Sequence, residues 1–432
     1  MALAAGSVAA AAVLFGSVLT GDPPAQQAPD VRPDVAAARA LDGFAAGDTA
    51  AYVDELVARV RANPRDAEGL ALLGLGYQQR ARETGDPAFY PRSEKALRAS
   101  LRLVSANDLA LTGLAALAAS RHRFSDALAL ARRAQGLNPA SAAAAGIEGD
   151  ALVELGRYRQ AFAAFDRMTA LKPGLSAYAR IAYARELLGR PRAALVAMGR
   201  AVDAGSANAE NAAWTLVQLG NLYFDTGRLR PAETAYRRAL ARFPGYHHAL
   251  AALARAEAAR GRLASAARLY RQALAAVPLP QYAAGLGDAL AAAGNEDGAR
   301  REYALVGVIQ KLFAANGVRT DLETALFDLD HGRRLRDALA RAREAYGERR
   351  SIDAEDVLAW ALYRNGRCSA ARAHSERALR LGTRDALKLF HRGMIELCLG
   401  RDAAGRSFLR RALGVNPHFS LRYGLVARKA LR

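Results

Sequence analysis

The chain has 432 residues, of which 52% are hydrophobic and only 7% aromatic; this composition is typical of closely packed helices and disfavours an all-β fold. Its net charge of +19 comes from 61 basic residues, nearly all of them arginine. Such a charge suits a polyanion-binding surface. However, no basic stripe interleaved with aromatic residues and no DNA- or RNA-binding motif accompanies it, so nucleic acid is disfavoured as a partner.

The chain opens with an uncharged apolar segment. Residues 1–21 precede the first charged residue and are about long enough to span a bilayer or to form the core of a signal peptide. We therefore expect a signal peptide or a single N-terminal membrane anchor, with an Ala-rich leader as the alternative. The protein would then be extracytoplasmic, either secreted or held at a membrane by this segment alone. Residues 22–35, rich in Pro, Gln and Asp, are expected to form a linker.

A pattern of small, aromatic and proline residues recurs from residue 36 to residue 419. One unit, starting at Ala213, has Gly220 at position 8, Gly227 at position 15, Tyr236 at position 24 and Pro244 at position 32. Comparable units start at residues 108, 142, 175, 247 and 280, weaker ones at 67, 318, 352 and 386, and a degenerate one near 33. A small residue at position 8 allows two helices to cross closely, Gly at 15 allows a tight turn, and Pro at 32 ends the second helix.

This pattern resembles the tetratricopeptide repeat, a helical hairpin of 34 residues. The resemblance extends over about eleven units and implies an all-α fold, a right-handed α-solenoid in which each hairpin buries its apolar face against its neighbours. Residues 380–420 resemble the end of plain bacterial proteins of this family. Extra residues in 78–100, 203–211 and 310–318 are expected to form loops, and residues 420–432 a C-terminal capping helix.

Few side chains indicate a chemical site. Asp328, Asp330 and His331 could suggest a metal, but neighbouring residues on a helix diverge, and a His before a Gly turn commonly satisfies the last carbonyls. His247 and His248 fall at the start of a helix and are expected to be exposed. No nucleophile elbow, phosphate-binding loop, dinucleotide fingerprint or zinc-protease motif occurs. We therefore expect no enzyme activity, no catalytic residue, no metal and no cofactor.

Cys368 and Cys398 are the two cysteines of the chain. They fall near the turn ends of adjacent hairpins, where they are close enough to form a disulfide in an oxidising compartment. Two free buried thiols are the alternative.

The family resemblance also predicts a binding groove, because the first helix of each hairpin lines a concave face with its positions 2, 5, 9 and 12. In the middle of this chain those positions carry polar and aromatic residues, which suit peptide recognition, although ordinary solvated positions are the alternative. The predicted groove residues are Asp150, Tyr183, Glu186, Trp214, Asn221, Phe224, Arg255 and Asp288. Nearer the C-terminus the inner face is apolar, as at Leu326, Trp360 and Phe390, and should be covered by a partner or by the C-terminal helix.

The sequence thus predicts a non-catalytic scaffold that binds a segment of an unidentified protein or peptide in its concave groove. The alternative is a protein that binds a polyanion, either nucleic acid or an acidic envelope polymer, through its basic surface. Steep loss of binding with added salt would favour this alternative.

Overall fold

The computed structural model describes residues 48–206 and 208–432, so the predicted leader and linker lie outside the described residues. Every regular element in the described residues is a helix. The helices are α1 (Thr49–Ala62), α2 (Ala67–Thr84), α3 (Phe89–Leu103), α4 (Asp108–Ser120), α5 (Phe124–Leu137), α6 (Ala142–Glu154), α7 (Tyr158–Leu171), α8 (Leu175–Leu187), α9 (Pro191–Ala204), α10 (Ala209–Asp225), α11 (Leu229–Arg242), α12 (His247–Ala259), α13 (Leu263–Ala276), α14 (Pro280–Ala292), α15 (Glu296–Ala315), α16 (Asp321–Asp330), α17 (Leu335–Glu348), α18 (Ile352–Arg364), α19 (Cys368–Ala378), α20 (Ala386–Cys398), α21 (Asp402–Val415) and α22 (Tyr423–Ala430).

These helices form a solenoid of helical hairpins, as the sequence predicts. From α2 to α21 each even-numbered helix pairs with the helix that follows it, which gives ten hairpins in the described residues, and α1 precedes them. The first helices of successive hairpins also contact one another. Within the described residues no helix is both long and apolar enough to cross a bilayer.

Glycine at position 8 lets the two helices of a hairpin approach closely. The rings of Phe165, Tyr236 and Tyr303, at position 24, lie directly over Gly149, Gly220 and Gly287, where a Cβ atom would overlap the ring. Tyr236 and Phe165 are fully buried in this arrangement. The small residue and the ring are therefore one packing unit.

The extra residues mostly lengthen helices, so the prediction of loops in 78–100 and 310–318 is wrong. Helix α2 has 18 residues and α15 has 20, whereas most first and second helices have 13 or 14. The inserted segments are rich in Gln, Arg, Lys, Leu and Ala, which favour helix, and each helix continues until a glycine, Gly85 or Gly317, is reached. In 203–211, helix α9 ends at Ala204 and α10 begins at Ala209.

The solenoid winds so tightly that its second superhelical turn rests on its first. We define the first superhelical turn as α2–α12 and the second as α13–α22. Three of the hydrogen bonds between them show this: His122 Nδ1 lies 2.7 Å from the Arg319 carbonyl oxygen, the Ile352 N–H donates to Tyr158 Oη at 2.6 Å, and Asn416 Nδ2 donates to the Phe224 carbonyl at 3.0 Å. The paired residues are 197, 194 and 192 positions apart. In each contact a hairpin turn meets the loop after the fifth hairpin that follows it.

The last helix covers the apolar inner face near the C-terminus. The ring of Tyr423, in α22, stacks on Phe390 with centroids 4.8 Å apart and lies edge-on to Trp360 at 5.5 Å. Tyr423 Oη donates to Asp330 Oδ1 at 2.9 Å. Cys368 and Cys398 form a disulfide in this region, with Cα atoms 6.2 Å apart.

We predict that Gly189→Ala lowers the free energy of unfolding more than Gly366→Ala. Both glycines end a hairpin turn with positive φ, and an L-residue there costs about 1 kcal/mol. At Gly189 a Cβ atom would also overlap the Gly382 carbonyl of the second superhelical turn, whereas Gly366 has open space. The additional cost should be about 1 kcal/mol or more, measured by denaturant unfolding. Equal losses for the two variants would contradict the contact between superhelical turns.

We predict that intact protein from its native compartment is lighter by two hydrogens before reduction than after it, as a Cys368–Cys398 bridge requires. The bridge closes a loop with a sequence separation of 30, so Cys398→Ser should lower the free energy of unfolding by about 3 kcal/mol. Reducing the wild-type protein should remove most of the difference. A variant as stable as the oxidised wild type would contradict this prediction.

Candidate functional site

The predicted groove residues do not share one surface. Five of them line two cavities, each with a volume of about 330 Å³. Tyr183 and Glu186 line the first cavity, Trp214 and Asn221 line the second, and Arg255 borders both. Phe224 is only 1% exposed and lies beneath Arg255, with the guanidinium carbon 4.0 Å from the ring centroid.

We call the first cavity the charged cavity and the second the aromatic cavity. The charged cavity lies between the two superhelical turns and is lined by Tyr183, Glu186, Asp225, Arg255, Asp353, Asp385 and Lys388, among others. The aromatic cavity is lined by the rings of Tyr90, Trp214, Tyr270, Tyr282, Phe313 and Phe327. Its polar members include His247, His248, Asn221, Gln218 and Gln310, and its charged members include Arg82, Glu210, Arg255 and Glu323.

Two histidines meet one tyrosine hydroxyl in the aromatic cavity. Tyr282 Oη lies 2.8 Å from His247 Nδ1 and 2.9 Å from His248 Nδ1. Burial lowers the pKa of His247 to about 4 and that of His248 well below its usual value, so both rings are neutral at pH 7. Because a hydroxyl has a single proton, it donates to one ring and accepts from the other, and the two rings hold opposite tautomers.

The predicted exposure of His247 and His248 is therefore wrong. His247 is 4% exposed, because α12 starts beneath Tyr246 and beside Tyr282 of the next hairpin. The Tyr246 ring centroid lies 5.3 Å from that of His247 and 5.4 Å from that of His248. The start of α12 is therefore buried by its neighbours.

Arg255 separates the two cavities and is fixed by its own partners. Its Nη2 donates to Asn221 Oδ1 at 3.1 Å, and the same oxygen accepts from Tyr236 Oη at 3.0 Å. Its Nη1 lies 3.7 Å from Asp225 Oδ1. The guanidinium also stacks on Phe224, so cation–π attraction adds to these polar contacts. Asn221 and Arg255 thus form part of a rigid wall.

The charged cavity holds a buried lysine between two aspartates. Lys388 Nζ lies 2.6 Å from Asp353 Oδ1 and 2.7 Å from Asp385 Oδ2, and its side chain is 5% exposed. On the opposite wall, burial and neighbouring carboxylates raise the pKa of Glu186 to about 8 and that of Asp225 to about 6. The carboxyl group of Glu186 therefore favours its protonated form at neutral pH.

Asp150 and Asp288 line neither cavity, and both have internal partners. Asp150 accepts from Arg180 Nε at 3.0 Å and from Arg180 Nη2 at 2.7 Å, and both side chains are buried. Asp288 accepts from Tyr303 Oη at 2.8 Å and lies 2.9 Å from His331 Nε2. Each of these two aspartates therefore links its own hairpin to the hairpin that follows it.

The acidic residues around His331 are likewise used internally. Asp328 pairs with Arg334 and Arg341, and Asp330 accepts from Trp360 Nε1 at 3.1 Å. In the part of the chain that the structure describes, no three His, Cys, Asp or Glu side chains are grouped as metal ligands would be.

A family model for the tetratricopeptide repeat matches residues 217–279, 252–311 and 357–425. These segments contain the hairpins whose Gly, aromatic and Pro spacing is described above. Residues 217–311 and 357–425 therefore consist of tetratricopeptide repeats. No curated protein matches the chain.

Several solved structures are similar to this chain at low identity. PilW, a type IV pilus biogenesis factor, is 18% identical with a TM-score of 0.40, over 46% of this chain and 92% of PilW. A chain of the APC/C hetero-tetramer Cut9-Hcn1 is 16% identical with a TM-score of 0.39, over 92% and 84%. YrrB, described as having an unusual peptide-binding site, is 20% identical with a TM-score of 0.30, over 46% and 99%. Tetratricopeptide repeat proteins in general bind peptides or proteins and typically act as non-catalytic scaffolds.

Sequence reasoning missed Lys388, Asp353 and Asp385 as site residues because they meet Glu186 and Asp225 only through the superhelical winding. One sequence signal was available: Lys388 is a lysine in a chain whose basic residues are nearly all arginine. Tyr282 was missed because it lies near the start of its helix, outside the four groove positions.

We predict that Asp150→Ala lowers the free energy of unfolding by about 3 kcal/mol, because it leaves the Arg180 guanidinium buried without its carboxylate. The double variant Asp150→Leu, Arg180→Met should recover at least half of that loss, since it removes both charges. Denaturant unfolding of the three proteins gives the comparison. If Asp150→Ala is as stable as the wild type, Asp150 is instead a free groove residue.

Proposed function

We propose that this protein is a non-catalytic scaffold that binds a segment of another protein, and that the aromatic cavity receives an apolar or aromatic side chain of that segment. The observation that carries the proposal is the cavity itself. Its volume of about 330 Å³ is within the range of small ligand pockets, and six rings line it. Rings buried in such a pocket are typical of the residues that dominate binding energy.

The polar members of the aromatic cavity suit a polypeptide backbone. Gln218 and Gln310 add side-chain amide groups to the lining, each with donors and an acceptor. A peptide group likewise offers one donor and one acceptor. Because both histidines are neutral at pH 7, they neither attract nor repel charge on the bound side chain.

Binding of a polyanion by the basic surface is the second candidate, and the net charge of +19 favours it. Many of the arginines are already paired with carboxylates, for example Arg132 and Arg167 with Glu148. Such pairing lowers the free positive charge that could release counterions. We also propose an extracytoplasmic location, which rests on the apolar residues 1–21 and agrees with a disulfide.

We predict that Gln310→Trp weakens peptide binding at least about tenfold, because the added ring fills the aromatic cavity and costs more than 1 kcal/mol of binding free energy. Peptides would first be selected from a random display library on the wild-type protein, and their affinities measured by fluorescence anisotropy. Val308→Trp is the matched control: it lies on the same helix, is 63% exposed and does not line the cavity. Equal effects of the two variants would rule out the aromatic cavity as the binding site.

A salt series separates the two candidate functions. The affinity for an oligo(dT) strand or for polyphosphate would be measured at low and at moderate salt. A steep fall in this affinity, together with no effect of Gln310→Trp, would support polyanion binding as the function. Selected peptides bound through the aromatic cavity should lose little affinity over the same range.

A further inference from the structure

Three arginines of the charged cavity have no carboxylate partner among the described residues. Arg192 lies in the first turn of α9, Arg228 directly precedes α11, and Arg384 lies in the loop before α20. All three residues are exposed, so they form the mouth of the cavity. Their guanidinium groups are therefore available to an anion.

The mouth is built from both superhelical turns. Arg192 and Arg228 belong to the first superhelical turn, and Arg384 belongs to the second. A Cβ atom placed on Gly189 would overlap the Gly382 carbonyl oxygen and would lie 3.4 Å from Arg384 Cγ. The stem of Arg384 therefore rests on the turn between α8 and α9, three residues before Arg192.

Farther from the mouth, the charged cavity has one carboxyl group with no partner. The side chain of Glu186 is only partly exposed and makes no hydrogen bond or ion pair within the described residues. The other carboxylates of the lining are paired, because Asp225 lies 3.7 Å from Arg255 and both Asp353 and Asp385 contact Lys388. Three guanidinium groups and one carboxyl group thus remain for a ligand.

Two hydroxyl groups of the lining are also unused. Thr383 is 8% exposed, and its hydroxyl has no hydrogen-bond partner in the part of the chain that the structure describes. The same is true of the Tyr183 hydroxyl. A largely buried hydroxyl group without a partner is unfavourable. These two groups therefore favour a polar ligand in the charged cavity.

The charges of the whole lining nearly balance, which favours a ligand that carries both signs. Five cations and four carboxylates line the cavity: Arg192, Arg228, Arg255, Arg384 and Lys388, with Glu186, Asp225, Asp353 and Asp385. The unpaired cations lie at the mouth, and the unpaired carboxyl group lies farther in. A matching ligand has a cationic group at one end and more than one anionic group at the other.

We propose that the charged cavity binds a small acidic amino acid, such as glutamate or aspartate. The two carboxylates bind at the mouth to Arg192, Arg228 and Arg384, and the ammonium group binds to Glu186. Guanidinium groups suit this role because they donate paired N–H groups to carboxylates. An ammonium group beside Glu186 also favours the ionised form of its carboxyl, since an opposite charge lowers a carboxyl pKa.

The rest of the charged cavity fits a molecule of this kind. Its volume of about 330 Å³ has room for an amino acid. Leu195 and Leu222 lie in the lining, where they can contact the methylene groups of the ligand. Because Thr383 and Arg384 belong to the second superhelical turn and Glu186 to the first, the bound amino acid connects the two.

Isothermal titration calorimetry of the full chain with L-glutamate tests the proposal. We expect saturable one-to-one binding with a Kd below about 1 mM near neutral pH. Arg384→Gln should weaken this binding at least about tenfold, because it removes charge-assisted hydrogen bonds to a carboxylate. Arg238→Gln is the matched control: it removes the same charge from an exposed residue of α11 outside the cavity, and it should leave the affinity unchanged.

Glutarate isolates the role of Glu186, because it has the two carboxylates of glutamate and lacks the amino group. The wild type should bind L-glutamate at least about tenfold more tightly than glutarate. Glu186→Gln should remove most of this preference, since it keeps the shape of the side chain and abolishes its charge. Circular dichroism checks that each variant is folded.

Three results would each overturn the proposal: no binding of L-glutamate or L-aspartate below that Kd, equal affinities of the wild type for glutamate and glutarate, or equal effects of Arg384→Gln and Arg238→Gln. Gln310→Trp, in the aromatic cavity, should leave glutamate binding unchanged, and loss of binding in this variant would also contradict the charged cavity as the site. Glutamate binding without any selected peptide would support this inference and contradict the proposed function. Peptide binding without glutamate binding would do the reverse.

Discussion

Five and a half hairpins complete one superhelical turn of this protein, after which each hairpin turn meets a loop of the next superhelical turn. His122, Tyr158 and Phe224 make such contacts with residues 192 to 197 positions further along the chain. An open solenoid has only nearest-neighbour interfaces. Here the second superhelical turn adds long-range interfaces, and the glycines at the hairpin turns permit them because their missing Cβ atoms leave room for the opposing loop.

This closure explains why the inner face is built from paired polar groups. Side chains that would be solvated in an open groove are enclosed here, so each must find a partner or change its protonation. Asp150 and Asp288 find partners on neighbouring hairpins, Arg255 is held by Phe224, Asn221 and Asp225, and Glu186 takes up a proton more readily. Among the described residues, the charged cavity and the aromatic cavity leave space for a ligand.

The sequence predicts the hairpins well because each depends on local requirements. Gly220 is required beneath Tyr236, and a glycine is required where the hairpin turn has positive φ. The sequence does not predict the superhelical winding. The winding is the sum of small rotations at the interfaces between more than five hairpins, and no single motif determines that sum. The same limit applies to the burial of His247, to the meeting of Lys388 with Glu186, and to the division of the groove residues between two cavities.

Lys388 illustrates why a residue's position in the superhelix can matter more than its position in the repeat. The chain uses arginine almost everywhere a cation is exposed, yet it places a lysine between Asp353 and Asp385. A compact ammonium group directs its three donors to two carboxylates in little space, whereas a planar guanidinium would extend into the charged cavity. With Lys388 in this place, Asp353 and Asp385 remain paired, while burial and neighbouring carboxylates raise the pKa of Glu186 on the opposite wall of the charged cavity to about 8.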